Sequence, residues 1–143
     1  MNKYEQGKIY KIINDVDDMV YVGSTIQLLR QRFSSHIYKT KKENSKLLNH
    51  IKLLGKDNFQ IVLLHNYPCK NKEQLLWEER RIQEEIPKEK SLNQLRSIIT
   101  YDEHEEWFEQ NKDYLKKRSR ICYEKNKTQV NMKNKENYIR NKE

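Results

Sequence analysis

Residues 7–25, Gly-Lys-Ile-Tyr-Lys-Ile-Ile-Asn-Asp-Val-Asp-Asp-Met-Val-Tyr-Val-Gly-Ser-Thr, decide the fold. Two β-branched runs, each holding a tyrosine, flank the turn-rich stretch Asn14-Asp15-Val16-Asp17-Asp18. The pattern predicts a hairpin, Lys8 to Ile13 paired with Met19 to Ser24. A pairing symmetric about the turn sets Tyr10 opposite Tyr21, with both phenols on one side of the sheet. Such tyrosines can simply fill a core, since aromatics are enriched in strands. Two phenols beside a basic helix suggest instead chemistry on an anion.

That helix is expected next, from about Gln27 to Lys42, with Ser24-Thr25 as its N-cap. At roughly 100° per residue, Leu28, Leu29, Phe33 and Ile37 define an apolar arc. Arg32 and His36, spaced i,i+4, fall inside the arc, and Lys39 lies close to them. An arginine in a buried stripe is costly unless it meets an anion. The anion could be a protein carboxylate or a bound phosphate. Further on, Lys72 to Ile86 has helical periodicity, with Leu75, Leu76, Ile82 and Ile86 on one face and Glu79 within it. Glu79 is either the internal partner of Arg32 or a carboxylate aimed at a site where a divalent cation could bind.

The remaining elements complete a small α/β fold. Ser45 can cap a helix running to Leu54, with Leu47, Leu48 and Ile51 inward and Gly55 stopping it. Phe59 to Tyr67 reads as a third strand, mostly apolar and so buried on both faces, ended by Pro68 and Asn71. The expected architecture is a three-stranded antiparallel sheet flanked by helices, with a basic helical C-terminal extension. Three parts are expected: a folded domain over 1–95, a connecting helical segment over 96–113, and a basic, low-complexity, partly helical tail over 114–143. Trp107 and Phe108 suggest a helix start near Glu103 that either docks back on the domain or forms a partner-binding face.

Gly-x-Ile-Tyr, Tyr-x-Gly-Ser-Thr, Arg-x-x-x-His, a helical Glu and Leu-Asn, in this order, resemble the GIY-YIG nuclease family. The matching residues are Ile9 and Tyr10; Tyr21, Gly23, Ser24 and Thr25; Arg32 with His36; Glu79; and Leu92-Asn93. The resemblance covers about residues 5–95 and makes the 1–95 domain a catalytic domain. Lys8 stands between the glycine and Ile9, Val22 replaces an isoleucine, and Arg80-Arg81-Ile82 follows Glu79 where the family often has an aromatic.

The resemblance implies a metal-dependent DNA endonuclease or nicking enzyme, its alternative being an inactive nucleic-acid-binding module of the same fold. One divalent ion, Mg2+ or Mn2+, would be held by Glu79, with water and phosphate oxygens completing its shell. Arg32 would clamp a non-bridging phosphate oxygen. Tyr10 would serve as general base or water-orienting group; a free phenol titrates near 10, so the base role needs a nearby cation to lower it. Tyr21 would position phosphate or water, His36 would relay a proton or touch the phosphate, and Gly23, Lys39 and Asn93 would support the site. No small-molecule cofactor is implied.

Composition agrees with DNA as partner. The 143 residues hold 29 Lys+Arg against 21 Asp+Glu, a net +8, and the pI of about 9.4 suits a phosphate binder. Most of the excess lies in 114–143, where Glu-x-Asn-Lys at Glu109 and Glu124 recurs fifteen residues apart and Asn-Lys-Glu recurs at Asn134 and Asn141. Lys116, Lys117, Arg118, Arg120, Lys125 and Lys127 are the expected backbone contacts of this arm. Cys69 and Cys122 read as reduced thiols. The histidines lack zinc spacing, and no apolar run nears the ~20 residues that cross a bilayer. The expectation is an intracellular protein, cytoplasmic or nuclear, that is not secreted. Whether it works as monomer or dimer is not encoded in any motif.

Overall fold

The computed structural model describes residues 1–141; Lys142 and Glu143, the end of the expected tail and of its second Asn-Lys-Glu, lie outside the described residues. Strands β1 (Lys8–Asn14), β2 (Tyr21–Thr25) and β3 (Phe59–Asn66) form one antiparallel sheet in the order β2-β1-β3. Helices α1 (Leu29–Lys39), α2 (Lys46–Leu54) and α3 (Lys72–Glu85) flank it, and α4 spans Tyr101–Arg140. The chain divides into two compact units, Met1–Ile98 and Ile99–Glu143.

The first hairpin sets everything else. Its register pairs Tyr10 with Gly23 and Ile12 with Tyr21. The two tyrosines therefore share a face but sit diagonally, not opposite each other as symmetry about the turn predicts. The turn is longer on its β2 side, because Asp17 accepts hydrogen bonds from the side chain of Asn14 and the amide of Met19 and so holds Asp18 and Met19 out of the ladder.

As the middle strand, β1 is buried on both faces. Tyr10 and Ile12 pack with Leu47, Ile51, Phe59 and Leu92 against α1 and α2, while Ile9 packs with Val22 and Leu75 against α3. Full burial of one such aliphatic side chain contributes about 1.5–3 kcal/mol. The expectation that β3 is buried on both faces is corrected. It is an edge strand, and Leu63 and Leu64 remain more than a third exposed. An apolar run cannot by itself distinguish a central strand from an edge.

Caps explain the helix limits. Ser45 caps α2 through the Leu48 amide, Asn71 caps α3 through Gln74, and Thr100 and Glu103 make a capping box that starts α4. Gly55, at φ 88°, closes α2 in a conformation that costs a side-chain-bearing residue strain. The predicted Ser24-Thr25 cap of α1 is not formed. Helix α1 begins at Leu29 after Leu28 with no side-chain cap, because Ser24 and Thr25 belong to β2 and Thr25 spends its hydroxyl on the Gln27 amide. In α4, no residue is buried. Among the described residues no helix is long and apolar enough to cross a membrane.

Candidate active site

Alternation along β2 sends neighbouring residues to opposite faces. Tyr21 and Gly23 face α1, and Val22 and Ser24 face α3. The outer edge of β2 is bonded in sequence by residues that follow α3. Val20 exchanges hydrogen bonds with Lys90 and Leu92, and Asn93 uses its side-chain amide as a mock strand, accepting from the Val22 amide at 2.9 Å and donating to its carbonyl at 2.8 Å. One step further along that edge lies Ser24, whose hydroxyl donates to Glu79 Oε2. Here a cleft opens, lined by Ser24, Thr25, Gln27, Arg32, Lys72 and Glu79.

Glu79 is 8% exposed. Its other oxygen accepts from Gln83 Nε2 at 3.0 Å, and Gln83 is itself held by the Ser97 amide at 3.1 Å. Burial raises the carboxyl pKa against the opposing pull of Ser24 and of Arg32. Neither a hydrogen bond nor a salt bridge joins Glu79 to Arg32 among the described residues; the guanidinium instead donates through Nε to Tyr10 Oη at 2.9 Å. The internal ion pair that the sequence left open is thus not made. Carboxylate and guanidinium line one cleft from helices on opposite faces of the sheet.

Behind Arg32 lies an aromatic cluster. Tyr10 Oη is 2.8 Å from His36 Nε2, and the ring centres of Tyr10–Tyr21, Tyr10–His36 and Tyr21–His36 are 6.4, 6.1 and 5.4 Å apart. Burial, helped by Arg32 and Lys39, lowers the His36 pKa to about 4, so the ring is neutral near pH 7. Tyr10 Oη thus accepts from Arg32 and shares a second hydrogen bond with His36 Nε2, whose direction goes with the ring's tautomer. Burial raises the Tyr10 pKa more than Arg32 lowers it, and it raises Tyr21 as well. Arg32 alone therefore does not ready Tyr10 as a base. In a fully buried phenol the cost of desolvating the anion exceeds the attraction of one guanidinium.

Gly23 has a steric reason. A Cβ there would lie 2.5 Å from Tyr10 Oη and 2.6 Å from its Cζ, because the Tyr10 ring crosses directly over this glycine. Lys39 stands apart from the cleft, exposed and 3.7 Å from Glu43, and acts on the site only through its charge near His36. Arg80, which follows Glu79 where the resembling family often has an aromatic, is buried. It stacks 5.1 Å from the Trp77 ring and bonds Glu84 and the Ile98 carbonyl, tying the segment after Asn93 to α3. The sequence reading missed Ser24 and Gln83 as partners of Glu79. The i,i+4 spacing of Glu79 and Gln83 was the available signal for one, and the parity of Ser24 along β2 for the other. The six expected tail cations all lie on α4.

The donor set offered to a metal is sparse. Among the described residues no three His, Cys, Asp or Glu side chains gather. One hard carboxylate facing a cleft, beside a hydroxyl, suits a magnesium-like ion that keeps several waters and takes substrate oxygens. The residues fit such an ion and do not fit zinc, which wants a closed set of nitrogen and sulfur donors.

Comparison with known proteins agrees with this fold. The catalytic domain of homing endonuclease I-TevI matches with a TM-score of 0.53 at 25% identity, covering 62% of this chain and 98% of that one. A mutant of the same catalytic domain matches in fold with a TM-score of 0.56 at 23% identity, covering 66% and 98%. The MSV199 domain-containing protein 146R of Invertebrate iridescent virus 6 is 43% identical over 60 residues, which are 41% of this chain; the match spans about a quarter (24%) of the viral protein's length. The sequence model of the GIY-YIG catalytic domain matches residues 6–93, from before the first strand through Asn93. This chain belongs to the GIY-YIG catalytic domain family.

Proposed function

We propose that the protein is a metal-dependent DNA endonuclease or nicking enzyme that hydrolyses phosphodiester bonds. The observation that carries this reading is the unneutralised pair. Glu79 and Arg32 line one cleft without bonding each other, so each keeps capacity for a ligand of opposite charge. A phosphodiester with its counter-cation meets both needs. Nucleases of this family generally depend on a divalent metal, which supports Glu79 as the holder of one Mg2+ or Mn2+. When bound, the ion would supply Lewis acidity toward the phosphate and leaving oxygen.

The other roles belong to the chain's own residues. Arg32 is pre-set by its bond to Tyr10 and places its outer nitrogens for a non-bridging oxygen as charge develops there. Tyr10 acts as a neutral link: it orients Arg32 and shares a hydrogen bond with the neutral His36, holding both in place. Tyr21 donates a hydrogen bond to phosphate or water. Ser24 and Gln83 fix the direction of the Glu79 carboxylate, as outer-shell partners do for metal-binding groups. The cations of α4 add backbone affinity.

Supercoiled plasmid incubated with Mg2+ or Mn2+ provides the test. Nicked or linear product that disappears with chelator and with Glu79→Ala is expected. If the intact chain binds plasmid yet leaves it uncut under every divalent ion, the reading becomes that of an inactive binding module.

A further inference from the structure

The fifteen-residue recurrence of Glu-x-Asn-Lys is a sequence feature that the catalytic site does not use. In the structure it falls entirely within α4, and in both copies the asparagine amide reaches the residue four before it. Asn111 folds its amide back onto the Trp107 carbonyl at 2.7 Å, and Asn126 folds its amide back onto Cys122 Sγ at 3.5 Å. The recurrence extends to the apolar residues. Phe108, Leu115, Tyr123, Val130 and Tyr138 alternate at spacings of seven and eight, interleaved by Asn111, Ser119, Asn126 and Asn134 at the same alternation.

Fifteen residues over four turns is a period of about 3.75, longer than the 3.6 of the helix, so this seam drifts by roughly 60° per repeat in a right-handed sense. A straight apolar stripe is therefore absent from α4, although the pattern is regular. Phe108, Tyr123 and Val130 are exposed.

Charge sorts about the seam. At about 100° per residue, Lys112, Lys116, Arg118, Arg120, Lys127, Lys133 and Lys135 border it within about a quarter-turn, on both sides. Glu103 and Glu105, before Phe108, hold the border positions that Arg118 and Arg120 take one repeat later; from Phe108 onward the acids of α4 project more than about a quarter-turn away, and Lys117, Lys125 and Arg140 point away too. Two copies pairing through this seam would set cation against cation, which disfavours self-association. A polyanion with a wall of phosphates on each side and base edges or stacking surfaces between them satisfies it.

We propose that α4 binds DNA through this one spiral face, seating aromatic and amide side chains between two rows of cations, and that it is not a uniformly basic arm. The inference rests on the nuclease reading for the identity of the polyanion. It divides the six cations first expected to touch DNA: Lys116, Arg118, Arg120 and Lys127 do so, whereas Lys117 and Lys125 do not.

Two triple variants that remove equal charge provide the test, both in the full chain carrying Glu79→Ala so that no cleavage intervenes. One replaces Lys116, Lys127 and Lys135 with Gln; the other replaces Lys117, Lys125 and Arg140 with Gln. Binding to a 30-base-pair duplex is measured across a salt series. The border variant should lower the salt slope by about 2–3, and the away-face variant by less than about 1. Tyr123→Ala should weaken binding about tenfold or more without changing that slope. Equal losses in the two triples would overturn the one-faced surface in favour of a diffuse arm. Sedimentation showing a dimer dissociated by Leu115→Glu would overturn it in favour of a second copy as occupant. Absence of duplex binding by the parent chain at low salt would instead defeat the nuclease reading itself.

Discussion

The Met1–Ile98 unit and helix α4 solve opposite problems with the same alphabet. In the first unit the charged and polar groups that matter are buried, and each is held by a residue distant in sequence: Glu79 by Ser24, Tyr10 by His36 and Arg32, Val22 by Asn93. In α4 no residue is buried, and the side-chain bonds Asn111–Trp107, Lys112–Glu109, Arg120–Glu124 and Asn126–Cys122 reach only three or four residues away. One unit is specified by tertiary contact, the other by local propensity and charge. A single substitution in the first should therefore propagate, whereas effects in the second should be graded and sensitive to salt.

The largest effect expected is at Glu79. Glu79→Ala should lower cleavage by about a thousandfold or more, ~4 kcal/mol in the barrier, while duplex affinity stays within about twofold. Retained cutting would break the contrast, since it would place the chemistry outside the buried network.

His36 comes next, through pH. Its folded pKa of about 4 lies below the ordinary 6.5. As pH falls below 6.5 the unfolded chain takes up a proton that the folded ring refuses. Stability should fall from about pH 6.5 down to about pH 4, by up to about 3 kcal/mol, and level off below. Urea unfolding across that range should show the slope in the parent chain and lose this part of it in His36→Gln.

Gly23→Ala sharpens the packing side of the comparison. Overpacking against the Tyr10 ring should cost about 1–3 kcal/mol in thermal unfolding and also reduce activity, because it displaces the phenol that sets Arg32. A silent substitution would mean that the ring moves freely. Removal of 114–143 should have the smallest effect on the folded unit, below about 0.5 kcal/mol in its unfolding. It should still weaken DNA binding and flatten its salt dependence. An unchanged slope would make α4 a passenger.

Much of the catalytic unit could be read without coordinates. Alternation gave the hairpin, helical periodicity placed Arg32, His36 and Glu79 on inward faces, and the cap residues Ser45 and Asn71 marked two helix starts. Other features were closed to such reading. The register of the hairpin depends on how Asn14 and Asp17 fold the turn, which shifts the tyrosines from opposite to diagonal. The exposure of β3 depends on strand order, which an apolar run does not encode.

What the sequence alone determined is the set of elements and the side chains each directs inward, because 2.0 and 3.6 periodicities are properties of a local backbone. Only the tertiary structure decided what those side chains meet. That the Tyr10 phenol is pushed upward in spite of Arg32 follows from burial among groups far apart in the chain. That Glu79 bonds Ser24 and Gln83 while Arg32 bonds Tyr10 follows from helices packed on opposite faces of one sheet. Desolvation and partner choice are set by three-dimensional neighbours, and no pattern along a single element carries them.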